Sequence, residues 1–222
     1  MRLTLPRCIG LAGLASALAC DSDLVTAGDP VSIVAAFRDM GTVFGDITTY
    51  ALPDSVVHLT KDPTAEAPIE ITRGLDDRIL AHVRTQLDDR GYVREPQPEQ
   101  SRPDVIVLVN VVATTDFASW TNYPWFAWWG FFPGFAFAEF DPTWGIEYPW
   151  SDEAIGFEYD AGTIVIEMID ARGIDEPDQS VRAVWSGAVN GALTSDAGAE
   201  EARVLGSIEE VFALSPYLRH EP

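Results

Sequence analysis

VIVLV, residues Val105 to Val109, is an unbroken run of β-branched and aliphatic side chains. Alternating apolar and polar residues would indicate a strand with one face in water, whereas a continuous apolar run is typical of a strand that is covered on both faces. We therefore expect this segment to be a central strand of a sheet.

The clearest helix of the sequence comes before this strand. Its apolar residues recur at a spacing of four, while Arg and Asp side chains fill the other face. These apolar residues are Ile71, Leu75, Ile79, Val83 and Leu87. Gly91 stands where a glycine ends many helices. The pattern predicts an amphipathic helix from Ile71 to Arg90, with His82 at the edge of its apolar face as a packed or surface side chain.

Three further strands are indicated around this helix and strand. One runs from about Val43 to Leu52 and ends at Pro53-Asp54, and another runs from Gly162 to Asp170. Residues 170–179 have the composition of a turn, so the segment Val181–Val189, which contains Trp185, is expected to pair with the preceding strand as a hairpin.

Two more helices are predicted near the ends of the chain. Val204, Ile208, Val211 and Phe212 lie at helical spacing before Pro216, and Ser195 or Asp196 would cap that helix. Near the other end, Asp29-Pro30 has the form of a helix start, Ile33, Val34 and Phe37 share one helical face, and Gly41 supplies a stop. A short helix is therefore expected before residue 40.

This order of elements predicts an α+β fold. We expect a two-layer sandwich, in which a mixed four-stranded sheet carries two long helices on one face and an aromatic-rich insert joins two of the strands. Residues 20–40 would form a tether and the short helix. A single domain would occupy residues 41–222, with the insert at 117–160.

The first twenty residues have the pattern of an export signal. Arg2 and Arg7 precede an apolar run, residues 9–19, that is too short to span a bilayer. Ala17-Leu18-Ala19 satisfies the small-x-small rule of the general signal peptidase. With Cys20 it also resembles the bacterial lipobox, although Ala17 stands where leucine is usual. We expect a signal peptide at 1–19 and lipidation of Cys20.

These features predict a lipid-anchored protein of the bacterial cell envelope that faces the periplasm. Asp21 resembles the inner-membrane retention signal of enterobacteria, but that rule varies between bacterial groups. The choice between inner and outer membrane therefore stays open. No other cysteine would remain after cleavage, because Cys8 lies in the leader, so an internal disulfide is excluded.

The charge balance excludes nucleic acid as a partner. The chain has 35 Asp and Glu residues against 14 Lys and Arg residues, a formal net charge of −21. Removal of the leader takes away Arg2 and Arg7 and so leaves a net charge of −23. Such a protein is repelled by nucleic acid and by anionic lipid head groups.

Several short motifs together resemble one bacterial family. They are Thr49-Tyr50-Ala51-Leu52-Pro53, Gly91-Tyr92, Pro103 to Val107, Gly162 to Ile166 with Ile169-Asp170, Val184 to Ala188, and Ser215-Pro216. In this order they resemble the envelope lipoproteins grouped as the domain-of-unknown-function family numbered 4136, over roughly residues 40–217. The resemblance implies the location in the cell envelope and the fold, and it implies no catalytic residues.

The insert between the second and third strands is rich in aromatic residues, prolines and glycines. Its prolines argue against a regular helix, and a loop of this length usually has a function or a structure of its own. Three interpretations stay open: it covers the bare face of the sheet, it contacts a protein partner, a second copy of the chain or the membrane interface, or it stacks against sugar rings. The candidate interaction surface consists of Trp125, Trp128, Trp129, Phe131 and Phe132.

No enzyme signature is present in the sequence. It contains no H-E-x-x-H, C-x-x-C, G-x-S-x-G or phosphate-binding glycine motif. Glu167 and Asp170 fall on opposite faces of a strand, and the pairs Asp76-Asp77 and Asp88-Asp89 fit a solvated helix face. We expect a non-enzymatic interaction or structural module with no cofactor and no metal. The alternative is a periplasmic hydrolase that acts on envelope glycans.

Overall fold

The computed structural model describes residues 33–59, 73–98, 100–112, 145–149, 162–172, 180–190, 193 and 201–219, and residues Val31–Pro222 form one compact unit. The described strands are β1 (Ile33–Arg38), β2 (Thr49–Ala51), β3 (Val57–Leu59), β4 (Val93–Arg94), β5 (Val105–Val112), β6 (Gly145–Glu147), β7 (Ile164–Asp170) and β8 (Ser180–Asn190). The helices are α1 (Asp76–Asp88) and α2 (Glu201–Ala213), with short 3₁₀ helices at Phe44–Asp46 and Pro216–Leu218.

The strands form a mixed sheet in the order β1-β8-β7-β5-β2-β4, with β3 also beside β5 and β6 also beside β8. The mixed α and β fold agrees with the prediction, but the sheet has more strands than the four that we expected. The four expected strands correspond to β2, β5, β7 and β8. Four strands are additional: β1, which has six residues, and β3, β4 and β6, which have only two or three residues each. The three short strands have too few residues to produce a recognisable sequence pattern.

The strand β5 is buried along its whole length, as its continuous apolar run predicts. Its odd-numbered residues, Val105 to Val111, belong to the same core cluster as apolar residues of α1 and α2. We call this side of the sheet the helix face. The even-numbered residues point to the opposite side, the second face, because successive side chains of a strand alternate.

Helix α1 confirms the predicted amphipathic helix, although it starts later than expected. Leu75, Ile79, Val83 and Leu87 are all buried. At its end, the Tyr92 N–H donates to the Leu87 carbonyl and the Gly91 N–H to the Asp88 carbonyl. This is the Schellman arrangement, and Gly91 has the positive φ, 90°, that it requires.

Helix α2 lies close to β8 because a glycine removes the side chain between them. A Cβ added to Gly187 would collide with the Val211 side chain. Next to this contact, the buried Trp185 donates its indole N–H to the Ser215 hydroxyl at 2.9 Å. Trp185 therefore lies inside the hairpin strand, as expected. The proposed caps of this helix, Ser195 and Asp196, lie outside the described residues.

The short helix that we expected before residue 40 is wrong. Residues Ile33–Arg38 are instead the strand β1, which pairs with β8 in antiparallel register from Ile33↔Asn190 to Arg38↔Trp185. The sequence of this segment fits both structures, and pairing with a long neighbouring strand decides between them. The sheet therefore begins at residue 33, before the domain boundary expected at residue 41.

The expected strand from Val43 to Leu52 is divided. Gly45 and Asp46, which disfavour strands, lie in a 3₁₀ helix. Only Thr49–Ala51 forms a strand, and it pairs with β5 through Tyr50 and Ala51. The Asp104 carboxylate joins the starts of these two strands, since it accepts hydrogen bonds from the backbone N–H groups of Thr48 and Thr49 at 2.8 and 2.9 Å and from both hydroxyls. These bonds lower the pKa of Asp104 despite its partial burial.

Candidate functional site

The most unusual side chain in the described structure is Glu167, at the centre of β7. It lies on the second face, opposite Leu108 of β5 and Ser186 of β8. It is 0% exposed. Because β7 is covered on both faces, no position along its middle gives a side chain access to water.

The environment of Glu167 favours its neutral form. Burial raises the pKa of Glu167 to about 8, because an apolar surrounding penalises the charged carboxylate. The Tyr148 hydroxyl and the Asn110 amide act in the opposite direction by hydrogen bonding, and the Asn110 Nδ2 lies 3.1 Å from Oε2. Glu167 is therefore mostly a protonated acid at neutral pH.

Other polar side chains on the second face surround this acid. Asn110, Ser186 and Asn190 are all buried, and the Thr163 hydroxyl donates to Asn190 at 2.5 Å. Within the described part of the chain, the Ser186 hydroxyl has no hydrogen-bond partner. We call Asn110, Tyr148, Glu167 and Ser186 the second-face polar cluster.

A neutral glutamic acid can act as a general acid only where it reaches a substrate. Glu167 is closed off from solvent. The other buried carboxylate among the described residues, Asp39, is occupied by an ion pair with Arg182. Asp170, the other acid of β7, binds Arg172. Each of these three carboxylates is therefore either closed to solvent or bound by an arginine.

Asp39 holds the edge of the sheet together through its ion pair. Its carboxylate accepts hydrogen bonds from the Arg182 Nε at 2.8 Å, the Thr42 hydroxyl at 2.8 Å and the Gly41 N–H at 2.9 Å. The hydrogen bond from Arg182 is the main reason that the pKa of Asp39 falls to about 2. Arg182 also contacts Glu147 at 3.3 Å, so the group connects β1, β8 and β6.

The expected solvated acidic face of α1 is present at Asp77, Asp88 and Asp89, which are exposed, and the expectation is wrong at Asp76, which is half-buried. Asp76 contacts the His58 Nε2 at 3.0 Å, and Asp88 accepts a hydrogen bond from the Tyr50 hydroxyl at 2.8 Å. Both contacts join the helix to strands. His82 is partly buried and lies 3.4 Å from Glu209, as expected for a packed or surface histidine.

The lipidation site and the interaction surface predicted from the sequence lie outside the described residues. This applies to the lipidation site, Cys20, and to the aromatic surface of Trp125, Trp128, Trp129, Phe131 and Phe132. In the described ranges, no group of three or more His, Cys, Asp or Glu side chains could hold a metal ion. No helix there is long and apolar enough to cross a membrane.

The sequence alone did not identify the second-face polar cluster. One signal was present: Glu167 interrupts an apolar run, Ile164 to Ile169, in a strand that can be covered on both faces. A carboxyl in the middle of such a strand has to be buried. Its partners Asn110 and Tyr148 are far away in sequence and become neighbours only through strand pairing.

A sequence model of the family described as "Domain of unknown function (DUF4136)" matches residues 35–217. A crystal structure of a DUF4136 family protein from Bacteroides thetaiotaomicron is similar, with a TM-score of 0.64 and 21% identity over 87% of this chain and 100% of that chain. Two crystal structures of PelC dodecamers from Paraburkholderia phytofirmans, one of them a point variant, give TM-scores of 0.40 and 0.39 at 12% identity, over 86% of this chain and 99% of theirs. No curated protein sequence matches the chain.

Proposed function

The chain belongs to the family described as a domain of unknown function (DUF4136), and from this premise we propose that it is a lipid-anchored protein of the bacterial cell envelope. In this proposal it faces the periplasm and acts as a structural or interaction module, not as an enzyme. The observation that carries the proposal is the leader: two arginines, an apolar run and then Cys20.

The charge of the chain supports a covalent anchor. With a net charge of −21 before cleavage, the protein is repelled by anionic lipid, so electrostatic attraction does not hold it at a membrane. A single acyl chain gives only marginal binding, whereas several chains give a stable anchor. A cysteine carrying more than one acyl chain would therefore keep even this acidic domain at the bilayer.

A module that binds instead of catalysing agrees with the carboxylates described above. Glu167 is closed to solvent, and Asp39 is neutralised by Arg182. Catalytic groups need access to substrate together with a pKa suited to proton transfer. Glu167 has a pKa suited to proton transfer but no access to a substrate.

Fractionation of cells tests the anchor. We expect the wild-type protein in the membrane fraction and Cys20→Ser in the soluble periplasmic fraction. Cys8→Ser is the matched control, because it removes the leader cysteine and should leave the protein in the membrane. Retention of Cys20→Ser in the membrane fraction would contradict the proposal. Density separation of the two membranes would also show which one carries the anchor.

We further propose that the aromatic side chains Trp125, Trp128, Trp129, Phe131 and Phe132 contact an envelope protein or a second copy of the chain. Exposed aromatic residues are the most frequent anchors of protein interfaces. The double variant Trp128→Ser/Trp129→Ser should lose the products of cross-linking in intact cells and keep its thermal unfolding midpoint. The control Trp128→Phe/Trp129→Phe should keep both. If the serine variant unfolds, or if cross-linking captures only glycan, the contact surface is refuted.

A further inference from the structure

Three arginine side chains that lie close together have no carboxylate partner, although the chain has 35 acidic residues. They are Arg38 at the end of β1, Arg90 after α1 and Arg219 after the 3₁₀ helix Pro216–Leu218. Within the described structure, none of the three is ion-paired with an Asp or Glu side chain. Arginines that do form such pairs there include Arg73, Arg78, Arg94, Arg172 and Arg182.

Two observations place the three arginines near one another. The guanidinium carbon of Arg38 lies 4.3 Å from the centre of the Tyr217 ring, and Tyr217 is two residues from Arg219 in the chain. Burial lowers the pKa of Arg90, and the positive charge of Arg219 lowers it further, whereas Asp89 acts in the opposite direction. Because like charges that are close together repel, this arrangement favours an added anion.

The hydrogen-bond donors of Arg90 are held in place and only partly used. Arg90 is 7% exposed, and its guanidinium carbon lies 4.8 Å from the centre of the Phe212 ring. Its Nη1 donates to the backbone carbonyl and to the side-chain oxygen of Gln86, both at 2.8 Å. Its Nε has no hydrogen-bond partner among the described residues. Arg90 therefore gives this site a fixed positive charge with one donor still to be satisfied.

The other two arginines are more accessible, since Arg38 is half-buried and Arg219 is exposed. Arg38 stacks on the face of Tyr217. A guanidinium that stacks on a ring keeps the N–H groups along its edge available for a planar anion. These two side chains can therefore bind a carboxylate that approaches from solvent.

Exposed apolar side chains lie beside the arginines. Three of them are more than half exposed: Met40, Val43 and Leu214. Val43 precedes Phe44, whose ring centre is 5.1 Å from that of Tyr217. Leu214 precedes Ser215, whose hydroxyl accepts a hydrogen bond from the Tyr217 hydroxyl at 3.2 Å. The surroundings of Tyr217 thus offer apolar contacts as well as positive charge.

We propose that Arg38, Arg90 and Arg219 form a binding site for an acidic peptide segment of a partner protein. Guanidinium groups bind carboxylates through two parallel hydrogen bonds. The neighbouring apolar side chains suit a segment in which acidic and apolar residues alternate. This inference extends the proposed interaction module and rests on it, but the site needs no lipid on Cys20, so binding and anchoring are tested separately.

Position and charge both favour a protein partner over a membrane surface. In the proposed arrangement the anchored chain enters β1 at Ile33, whereas Arg38 lies at the other end of this strand, about 17 Å away. The net charge of −21 opposes approach to the many charges of an anionic bilayer. For a short peptide segment the local arginines dominate, because other charges are screened beyond about 8 Å at physiological ionic strength.

Fluorescence anisotropy with the purified full chain tests the site. The probe is a fluorescent synthetic peptide of alternating glutamate and leucine. We expect Arg38→Gln/Arg219→Gln to bind it at least about tenfold more weakly than wild type, because charge-assisted contacts are lost. The matched control, Arg73→Gln/Arg78→Gln, makes the same change in net charge at exposed positions near the start of α1 and should bind like wild type. Similar thermal unfolding midpoints of the three proteins would show that the weaker binding does not result from unfolding.

Other probes identify the chemistry of the ligand without any variant. A peptide of alternating glutamine and leucine should bind to wild type at least about tenfold more weakly than the glutamate peptide. The inference is overturned if wild type does not bind the glutamate peptide, if both peptides bind equally, or if the control variant loses as much binding as Arg38→Gln/Arg219→Gln. Displacement of the peptide by an equal concentration of inorganic phosphate, or preference for phosphatidylglycerol vesicles, would assign the arginines to another ligand. A dimer that light scattering detects in wild type and not in Arg38→Gln/Arg219→Gln would assign them to a second copy of the chain. Each of these three results also overturns the inference.

Discussion

Glu167→Gln removes a titratable group from the centre of the sheet and keeps nearly the same shape. In the folded protein, burial raises the pKa of Glu167 to about 8, whereas its ordinary value is 4.5. Between these two values the unfolded chain is ionised and the folded chain is protonated. Since the folded state then binds more protons, stability falls as the pH rises.

The size of this effect follows from the two pKa values. The free energy of unfolding should decrease by ~1.4 kcal/mol per pH unit between about pH 5 and pH 8. At pH 7 the cost of holding this acid in the core is about 3 kcal/mol. Glutamine has no ionised form and avoids this cost. We therefore expect Glu167→Gln to be more stable than wild type by about 3 kcal/mol at pH 7 and to differ little at pH 4.

Urea unfolding, followed by far-ultraviolet circular dichroism at pH 4, 5.5, 7 and 8.5, measures this difference. Glu210→Gln, at an exposed position of α2, removes the same charge from the surface and should follow the wild-type pH dependence. The reasoning is refuted if the difference between wild type and Glu167→Gln is the same at every pH, or if the glutamine variant is the less stable one at pH 8.5.

Three other substitutions test the packing and the polar contacts of the fold. Gly187→Ala should destabilise by about 1–3 kcal/mol, because the new methyl group collides with Val211. Gly206→Ala, in open space on α2, should instead stabilise by about 0.5–1 kcal/mol in the same urea assay; equal effects would contradict the close contact. Asp39→Asn should lower the free energy of unfolding by about 2 kcal/mol at pH 7 and by under about 1 kcal/mol at pH 2. The reason is that the stabilisation by the Asp39 carboxylate is complete above its unfolded pKa of 3.8 and is lost as the pH falls through about 2. A loss of stability that does not depend on pH would argue against the ion pair. Ser215→Ala should lower stability by about 1–3 kcal/mol by leaving the buried Trp185 N–H unpaired, whereas the exposed Ser55→Ala should leave the thermal midpoint unchanged.

The elements that could be predicted from the sequence are those whose own residues determine them. Helix α1 has an apolar residue at every fourth position, and its glycine end at Gly91 is local. Strand β5 contains an unbroken apolar run rich in β-branched residues, and β7 has a similar composition interrupted by Glu167. The position of β8 follows from the turn-like composition of the segment before it. In these segments local propensity and burial favour the same structure, so the sequence pattern predicts that structure correctly.

The elements that could not be predicted depend on distant partners. The segment Ile33–Arg38 fits a helical face as well as a strand, and its pairing with β8, about 150 residues later in the chain, decides the outcome. The same reason explains why the sequence predicts a solvated Asp76, since His58 comes to it from the strand β3. The sequence pattern relates Glu167 only to Asp170 of the same strand, whereas the burial of Glu167 follows from the cover on both faces of the sheet.

Mass spectrometry of the amino-terminal peptide of protein purified from membranes tests the anchored-module account most directly. The account predicts that the chain begins at Cys20 and that this cysteine carries the mass of a diacylglycerol group on its sulfur. A peptide that still begins at Met1, or a free thiol at Cys20, would contradict it.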